Sequence, residues 1–516
     1  METLRKNRTR IITLAVLAFL FVTALQGMEP KDWAITVLRG LSVGAITFLV
    51  AAGLSLILGL MDVLNLAHGE LFMIGAYVGW TVYVRPDTFV DLLTPALLLA
   101  AGLALMPLWR GVLGRLRLSP RAANIWPWVG LVVSGLILAL ALGRYPIAIW
   151  NPDVFAESPG TYALALDQGR LQMPAAATFA PISPFLDLLG ILLGGGLLGL
   201  SLVGLGMRRG AAAVARVERG PLWTAGGLLA AGVAIYLVNT PLSEALFNMN
   251  STARFFVSMA AATGVGFLLG GLIEATLIRP LYDRPIYQIM LTLGLSFIGI
   301  ELVRAIWGRP EFTMPKAALF SGTGDGCPAT SLGDLLAHQC STILLFDGRI
   351  RTYNEVFIIL VGVVVLAAVW LLLQRTRLGM IIRAGVQDSE MVEALGINVR
   401  RVFTLVFALG VSLAALGGVL AAPSIGLSND MGTRLLLLAL IALAIGGLTS
   451  FPGAAAGALL VGLMQQFIIK YGQIGIHLPF LSEPFKPSPP LVPASTVLLM
   501  VIILLVLPNG LFGRSE

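Results

Sequence analysis

Gly40-Leu-Ser-Val-Gly44-Ala-Ile-Thr-Phe-Leu-Val50-Ala-Ala-Gly53-Leu-Ser-Leu-Ile-Leu-Gly59-Leu60 is a run of 21 residues without a charge. As a helix it is about 31 Å long, the thickness of a bilayer's hydrocarbon core. It lies in an apolar segment at 37–60, and the pattern recurs along the chain. Further segments fall near 11–27, 69–84, 93–109, 124–143, 185–206, 222–238, 254–278, 286–307, 355–373, 401–421, 434–449, 453–470 and 494–508. The pair at 434–470 is short and glycine-rich, so a re-entrant hairpin is the alternative there. Alternating ten-residue strands of a membrane barrel do not fit runs of this length. The sequence reads as an all-α, polytopic transmembrane helical bundle of about 14 spans.

Composition agrees. Of 516 residues, 57% are hydrophobic and 12% are charged, with a mean hydropathy of +0.90. Soluble domains carry about 25% charged residues, so a water-exposed surface of this size could not be covered. Soluble enzymes, nucleic-acid binders and disordered scaffolds are excluded together. The net charge of +7 comes from short basic blocks between apolar runs, such as Arg5-Lys6-Asn7-Arg8, Arg110/Arg115/Arg117/Arg121 and Arg208/Arg209/Arg216/Arg219. With a cytoplasmic N-terminus, more than half of the 34 Lys and Arg fall in the cytoplasmic segments. The positive-inside rule therefore orients both termini to the cytoplasm. The first apolar run follows a basic start and reads as an uncleaved anchor helix; cleavage near Ala24 or Gln26 is the alternative, without a clean small-x-small site.

Much chemistry is absent. Cys327 and Cys340 stand thirteen residues apart in an external loop at 308–354, and either form a disulfide or are two unrelated thiols. His68, His338 and His477 offer no zinc-ligand spacing, so no metal site is expected. No G-x-x-x-x-G-K-[ST] loop occurs, and no arginine ladder or selectivity-filter sequence suggests a channel. Acidic residues within spans are few: Glu70, Glu274 near Arg279, and Glu301 one helical turn before Arg304. The last two read as internal ion pairs.

The longest cytoplasmic segment, 374–400, is the most informative. Asp388 reads as the N-cap and Gly396 as the stop of a two-turn helix. That helix sets Met391, Val392 and Leu395 among Glu390, Glu393 and Ala394. Apolar knobs on a short tethered helix suit docking in another protein's groove; a helix lying along lipid headgroups is the alternative.

The phrase Arg383-Ala384-x-x-Gln387-Asp388-x-Glu390, continued by Glu393-Ala394-Leu395-Gly396-Ile397-Asn398-x-x-Arg401, resembles the coupling loop of branched-chain amino acid permeases of the high-affinity uptake systems. Three other stretches resemble the same family in the same order. They are Asn65-Leu-Ala67-His68-Gly69-Glu70; Gly446-Gly447-Leu-Thr-Ser-Phe-Pro452-Gly453-Ala454; and the ending Leu507-Pro508-Asn509-Gly510-Leu511-Phe512. Physically, Asn65 can cap backbone donors and Glu70 suits a helix start. Gly453 and Gly457 form a close-approach step, and Pro452 reads as a break in a span.

The resemblance covers 36–84 and 254–516. It divides the chain into an anchor at 1–35, a first core part at 36–84, inserted transmembrane helices at 85–253, and a second core part at 254–516. It implies a membrane subunit of an ATP-driven ABC importer in a bacterial inner membrane, translocating Leu, Ile and Val and performing no covalent chemistry. Its implied partners are a second permease subunit, two cytosolic ATPase subunits, an external solute-binding protein and membrane lipid. ATP and magnesium are expected on the ATPases and no cofactor on this chain. Asp388, Glu390, Met391, Glu393, Ala394, Leu395 and Gly396 would couple to the ATPase. Asn65, His68, Gly69, Glu70, Gly446, Gly447, Pro452 and Gly453 are the gating candidates. Urea, short amides or other amino acids are alternative substrates. Rivals of another class are a stand-alone secondary carrier and a lipid-acting membrane enzyme built on Asp62, His68 and Glu70.

Overall fold

The computed structural model describes residues 28–115, 119–145, 184–208, 220–282, 284–308, 311, 313–345, 348–387, 389–476 and 483–513, with Ala15. The expected first span at 11–27, most of the loop at 144–184, and Asp388 lie outside the described residues. Ten described helices are long and apolar enough to cross a membrane. The protein is a polytopic helical bundle.

The chain forms two compact units: one from the described parts of Met1–Tyr83 and Asn250–Glu516, the other from those of Val84–Asn151 and Tyr162–Met249. The first unit begins with α1 (Pro30–Met61) and α2 (His68–Val84). The second unit holds α3 (Pro86–Ala104), α4 (Met106–Leu113), α5 (Pro120–Arg144), α6 (Pro184–Arg208), α7 (Gly220–Leu237) and α8 (Asn239–Asn248). The first unit resumes with α9 (Ser251–Ile273), prolonged through a π turn and a 3-10 turn to Leu281, and then α10 (Pro285–Trp307). A small subdomain follows, with α11 (Leu332–His338) and a hairpin of β1 (Thr342–Leu345) and β2 (Gly348–Arg351). The remainder is α12 (Ile358–Arg375), α13 (Arg377–Gln387), α14 (Ser389–Ala394), α15 (Val399–Ile425), α16 (Met431–Gly446), α17 (Phe451–Ile474) and α18 (Leu491–Val506).

In the first unit, α1 and α15 are buried along most of their lengths, and α10 and α12 along little of theirs. Lipid tails are as apolar as leucine, so helices here are drawn together by close fit. Gly40 and Gly44 of α1 let α17 approach: a Cβ on Gly40 would stand 2.8 Å from the Leu463 side chain. Gly418 of α15 likewise lies on the carbonyl of Phe72, and Gly266 and Gly270 of α9 lie against Ala415, Ala408 and Val411.

The second unit repeats this device. Gly102 of α3 faces the backbone of Gly195 and Gly196 on α6, and Gly130 of α5 faces the Ser201 hydroxyl. At the start of α3, Arg85 is buried against Asp87 through two hydrogen bonds of 3.0 and 2.8 Å.

The structure alters two readings. Pro452 breaks no helix: it occupies the first turn of α17, where its missing N–H is no loss, and Ser450 caps that end by accepting from Gly453 N at 3.2 Å. The segment at 93–109 is a helix from Pro86 that bends at Leu105 into α4.

Candidate functional site

The Asn65–Glu70 signature occupies a buried reversal between α1 and α2. Asp62 ends α1 in the left-handed region (φ 53°), its N–H bonded to Leu58 O at 3.0 Å. Asn65 then turns the chain: its Oδ1 accepts from Ala67 N at 3.1 Å, and its carbonyl accepts from His68 N at 3.2 Å. Asn65 and His68 are fully buried and Glu70 is 2% exposed. The reversal brings His68 back beside Gly53 of α1, whose own Cα rests on the Gly410 carbonyl of α15.

His68 and Glu70 belong to one motif but face different neighbours. His68 points toward α1, beside Gly53, with the Val50 backbone close by. Glu70 points toward α10 and α16. Its Oε1 accepts from Ser296 Oγ and from Thr433 Oγ1, each at 3.0 Å. Glycines make room for the carboxylate: Gly69 lies on the Gly432 carbonyl, and a Cβ on Gly299 would stand 3.2 Å from Glu70 Cβ. A His68–Asp62–Glu70 catalytic cluster is therefore not assembled. The sequence signal for Glu70's partners was faint: a serine at the midpoint of a 23-residue apolar helix, and a threonine at the start of another.

The Gly446–Gly453 turn and the Leu507–Phe512 ending, read separately in the sequence, form one structure. Gly446 and Gly453 stack backbone on backbone where α16 meets α17, and Gly447 adopts φ 111°. The chain after α18 folds beneath them. Leu511 N donates to Ile445 O and Phe512 N to Gly446 O, each at 2.9 Å. These bonds satisfy carbonyls that the end of α16 leaves open.

The third site is the bend carrying α13 and α14. The α14 helix stops at Gly396 (φ 83°), whose N–H reaches Glu393 O at 2.9 Å. Val392 is 4% exposed, whereas Met391 and Leu395 are 60% and 73% exposed. The three apolar residues thus divide between an inward anchor and two outward knobs. Ala394 closes the helix and Glu393 is exposed beside them. Asn398 caps α15 by accepting from Arg401 N at 3.1 Å.

Nearby, Glu274, fully buried at the π turn of α9, receives two hydrogen bonds from Arg279 (3.1 and 2.7 Å) and one from the Tyr282 hydroxyl. Arg279 also donates to Thr404 of α15, which binds the end of α9 to the first turns of α15.

The small subdomain carries the disulfide Cys327–Cys340, with Cα atoms 5.5 Å apart. Its helix α11 opens with a capping box between Ser331 and Asp334. Among the described residues no cluster of His, Cys, Asp or Glu is suited to a metal.

Ten described helices of membrane-crossing length, joined through buried polar reversals, define a multi-pass membrane protein. The sequence matches the family described as "Branched-chain amino acid transport system / permease component" over residues 36–170 and 188–507, and the chain belongs to that family. Among curated relatives it is 31% identical over 219 residues to the high-affinity branched-chain amino acid transport system permease protein LivH of Salmonella typhimurium, covering 42% of this chain and 65% of LivH. It is 30% identical over 171 residues to BraD of Pseudomonas aeruginosa, a permease protein of the same description, covering 33% of this chain and 51% of BraD. It is also 30% identical over 290 residues to the galactofuranose transporter permease protein YtfT of Escherichia coli, covering 53% of this chain and 76% of YtfT. The match thus spans less than two thirds of LivH. No solved structure matches.

Proposed function

We propose that the chain is the membrane-spanning permease subunit of an ATP-driven ABC importer that carries leucine, isoleucine and valine across the inner membrane. In this reading it works with a second permease subunit, two cytosolic ATPases that hold ATP and magnesium, and an external solute-binding protein. The observation that carries the reading is the division of α14. Val392 anchors the helix to its own chain, while Met391, Glu393 and Leu395 stand outward, suited to a groove on a partner.

The mechanism follows from connectivity. The helix α14 passes through a capped turn directly into α15, the buried axis of the first unit. Closure of the ATPases pushes α14, and α15 transmits the displacement to α1 through the Gly53–Gly410 contact and to α9 through Thr404–Arg279. Packed interfaces switch between discrete arrangements, so a small push becomes a change of access from one side to the other. The relation to YtfT makes a sugar the rival substrate. Uptake of radiolabelled leucine into proteoliposomes holding the complete transporter, competed by unlabelled valine or by galactose, separates the two. Glu393→Arg is expected to abolish uptake with membrane insertion and melting temperature unchanged; normal uptake by that variant overturns the coupling role.

A further inference from the structure

Glu70 has a second carboxylate oxygen that the fold leaves unused. Oε1 takes both available hydroxyls, whereas Oε2 is buried and has no hydrogen-bond partner. An unmatched carboxylate oxygen deep in a membrane bundle is costly, and intramembrane acids mark the paths of polar substrates. Ser296 is at the midpoint of α10, so Glu70 sits at half the depth of that helix. Its position is also the first turn of α2, beside the first turn of α16, so two helix starts meet there.

The cover over this oxygen is thin. Thr433 is exposed and Ser296 half-exposed, and α10 buries little of its surface. The helix α10 touches α2 and the turn before it through a short series of contacts: Thr292 Oγ1 to Leu64 O in the turn at 3.4 Å, Ser296 to Glu70, and Trp307 Nε1 to Thr81 Oγ1 at 2.9 Å. Between the last two, the Tyr77 and Trp307 rings lie 5.2 Å apart. This seam offers polar groups at successive levels from Glu70 to the far end of α2. Gly432 packs closely beside the oxygen: a Cβ there would come 2.5 Å from Oε2, so a larger residue would displace the carboxylate.

We propose that Glu70 is a mid-membrane binding station for the primary ammonium group of the transported amino acid, reached when α10 parts from α2. The proposal rests on the amino-acid reading above. An ammonium group brings three donors and a positive charge, so it satisfies Oε2 while Ser296 and Thr433 hold Oε1 in place. Ile74, one turn from Glu70 along α2, and Leu295, next to Ser296 on α10, are partly buried apolar residues that suit the aliphatic side chain.

Carbodiimide modification of Glu70 tests this in membranes containing the full chain, read by peptide mass spectrometry as all Glu70 adducts, amine-coupled amides included, relative to those of exposed Glu301, so that reagent consumed by the compounds' own carboxylates cancels. Leucine and 3-methylbutylamine, which carry the ammonium group, are expected to protect Glu70 about tenfold, the effect of one well-placed charge-assisted bond. 4-Methylpentanoate, which has the same carbon chain without nitrogen, is expected to protect nothing. Glu70→Gln, which keeps an acceptor for Ser296 and Thr433, is expected to lower leucine uptake by the complete transporter about tenfold with melting temperature unchanged. Equal protection by all three compounds, no protection by either amine, or a Glu70 that never reacts each overturns the station. So does wild-type uptake by Glu70→Gln. Protection by 3-methylbutylamine without leucine uptake by the wild type keeps the station and overturns the amino-acid reading. Leucine uptake without protection does the reverse.

Discussion

A single methyl group reports on the turn at Gly446. A Cβ at this position would collide with the carbonyl of Gly453, a backbone atom that cannot swing aside. Gly446→Ala is expected to cost about 1–3 kcal/mol, the range for overpacking a fitted site. Gly264 on α9 is the control: nothing lies within 4 Å of its added Cβ, so Gly264→Ala should stabilise by up to about 1 kcal/mol through helix propensity. Thermal melting of the purified chain measures both. Asp334 reports on pH. The Thr330 hydroxyl donates to its Oδ2 at 2.6 Å, and with Ser331 and two backbone N–H groups holds the carboxyl below the usual carboxylate range. A depressed folded pKa gives stability that is present above the unfolded value, about 4, and lost as pH falls through the folded one. Amide protection factors over residues 330–338 should therefore hold steady from neutral pH down to about pH 4 and fall only below it. Protection that falls steadily from pH 7 to 5 contradicts this.

At the scale of elements, the α14 helix separates anchor from knob. Val392→Asp places a charge in a buried position and is expected to lower the melting temperature of the chain, whereas Leu395→Asp, exposed, should leave melting unchanged and weaken co-purification with an ATPase. The existence of this helix was legible from Gly396 and its acidic neighbours, because end signals are local. The direction of Val392 was not, since two turns with three apolar residues fit either face. The same limit governs the motif at 65–70. Asn65 as a turn-maker and Glu70 at a helix start follow from local chemistry, but Ser296 and Thr433 lie 226 and 363 positions away. Nothing in the local pattern points to them. Helices without repeating charge contacts also hide their partners: glycines on α1 and α15 mark close approach, while 58 glycines in the chain offer too many pairings to choose from. Pro452 was misread for a related reason, because proline has two helical roles and only the position of the helix start distinguishes them.

For the whole molecule, the second unit enters and leaves the first at neighbouring points. Arg254 lies over the Tyr83 ring at 5.3 Å from its centroid, and the Phe255 ring is 6.0 Å from that of Tyr83. Replacing residues 85–249 by a short Gly-Ser linker is therefore expected to leave a first unit that inserts and purifies as a single species. Aggregation of the shortened chain in detergent would show that the first unit needs the second.

The fit of Gly40 and Gly44 against Leu463 and Leu459 has a consequence for biosynthesis. These contacts join residues roughly 400 positions apart. At about 5–20 residues per second, α1 waits some 20–80 s in the bilayer before α17 is made. Through that interval its glycine face is open to lipid and to other nascent helices. The helix α1 is thus among the first parts synthesised and among the last to find its place, so the risk of mispairing is concentrated on a stretch, 40–60, that carries no charge to guard it.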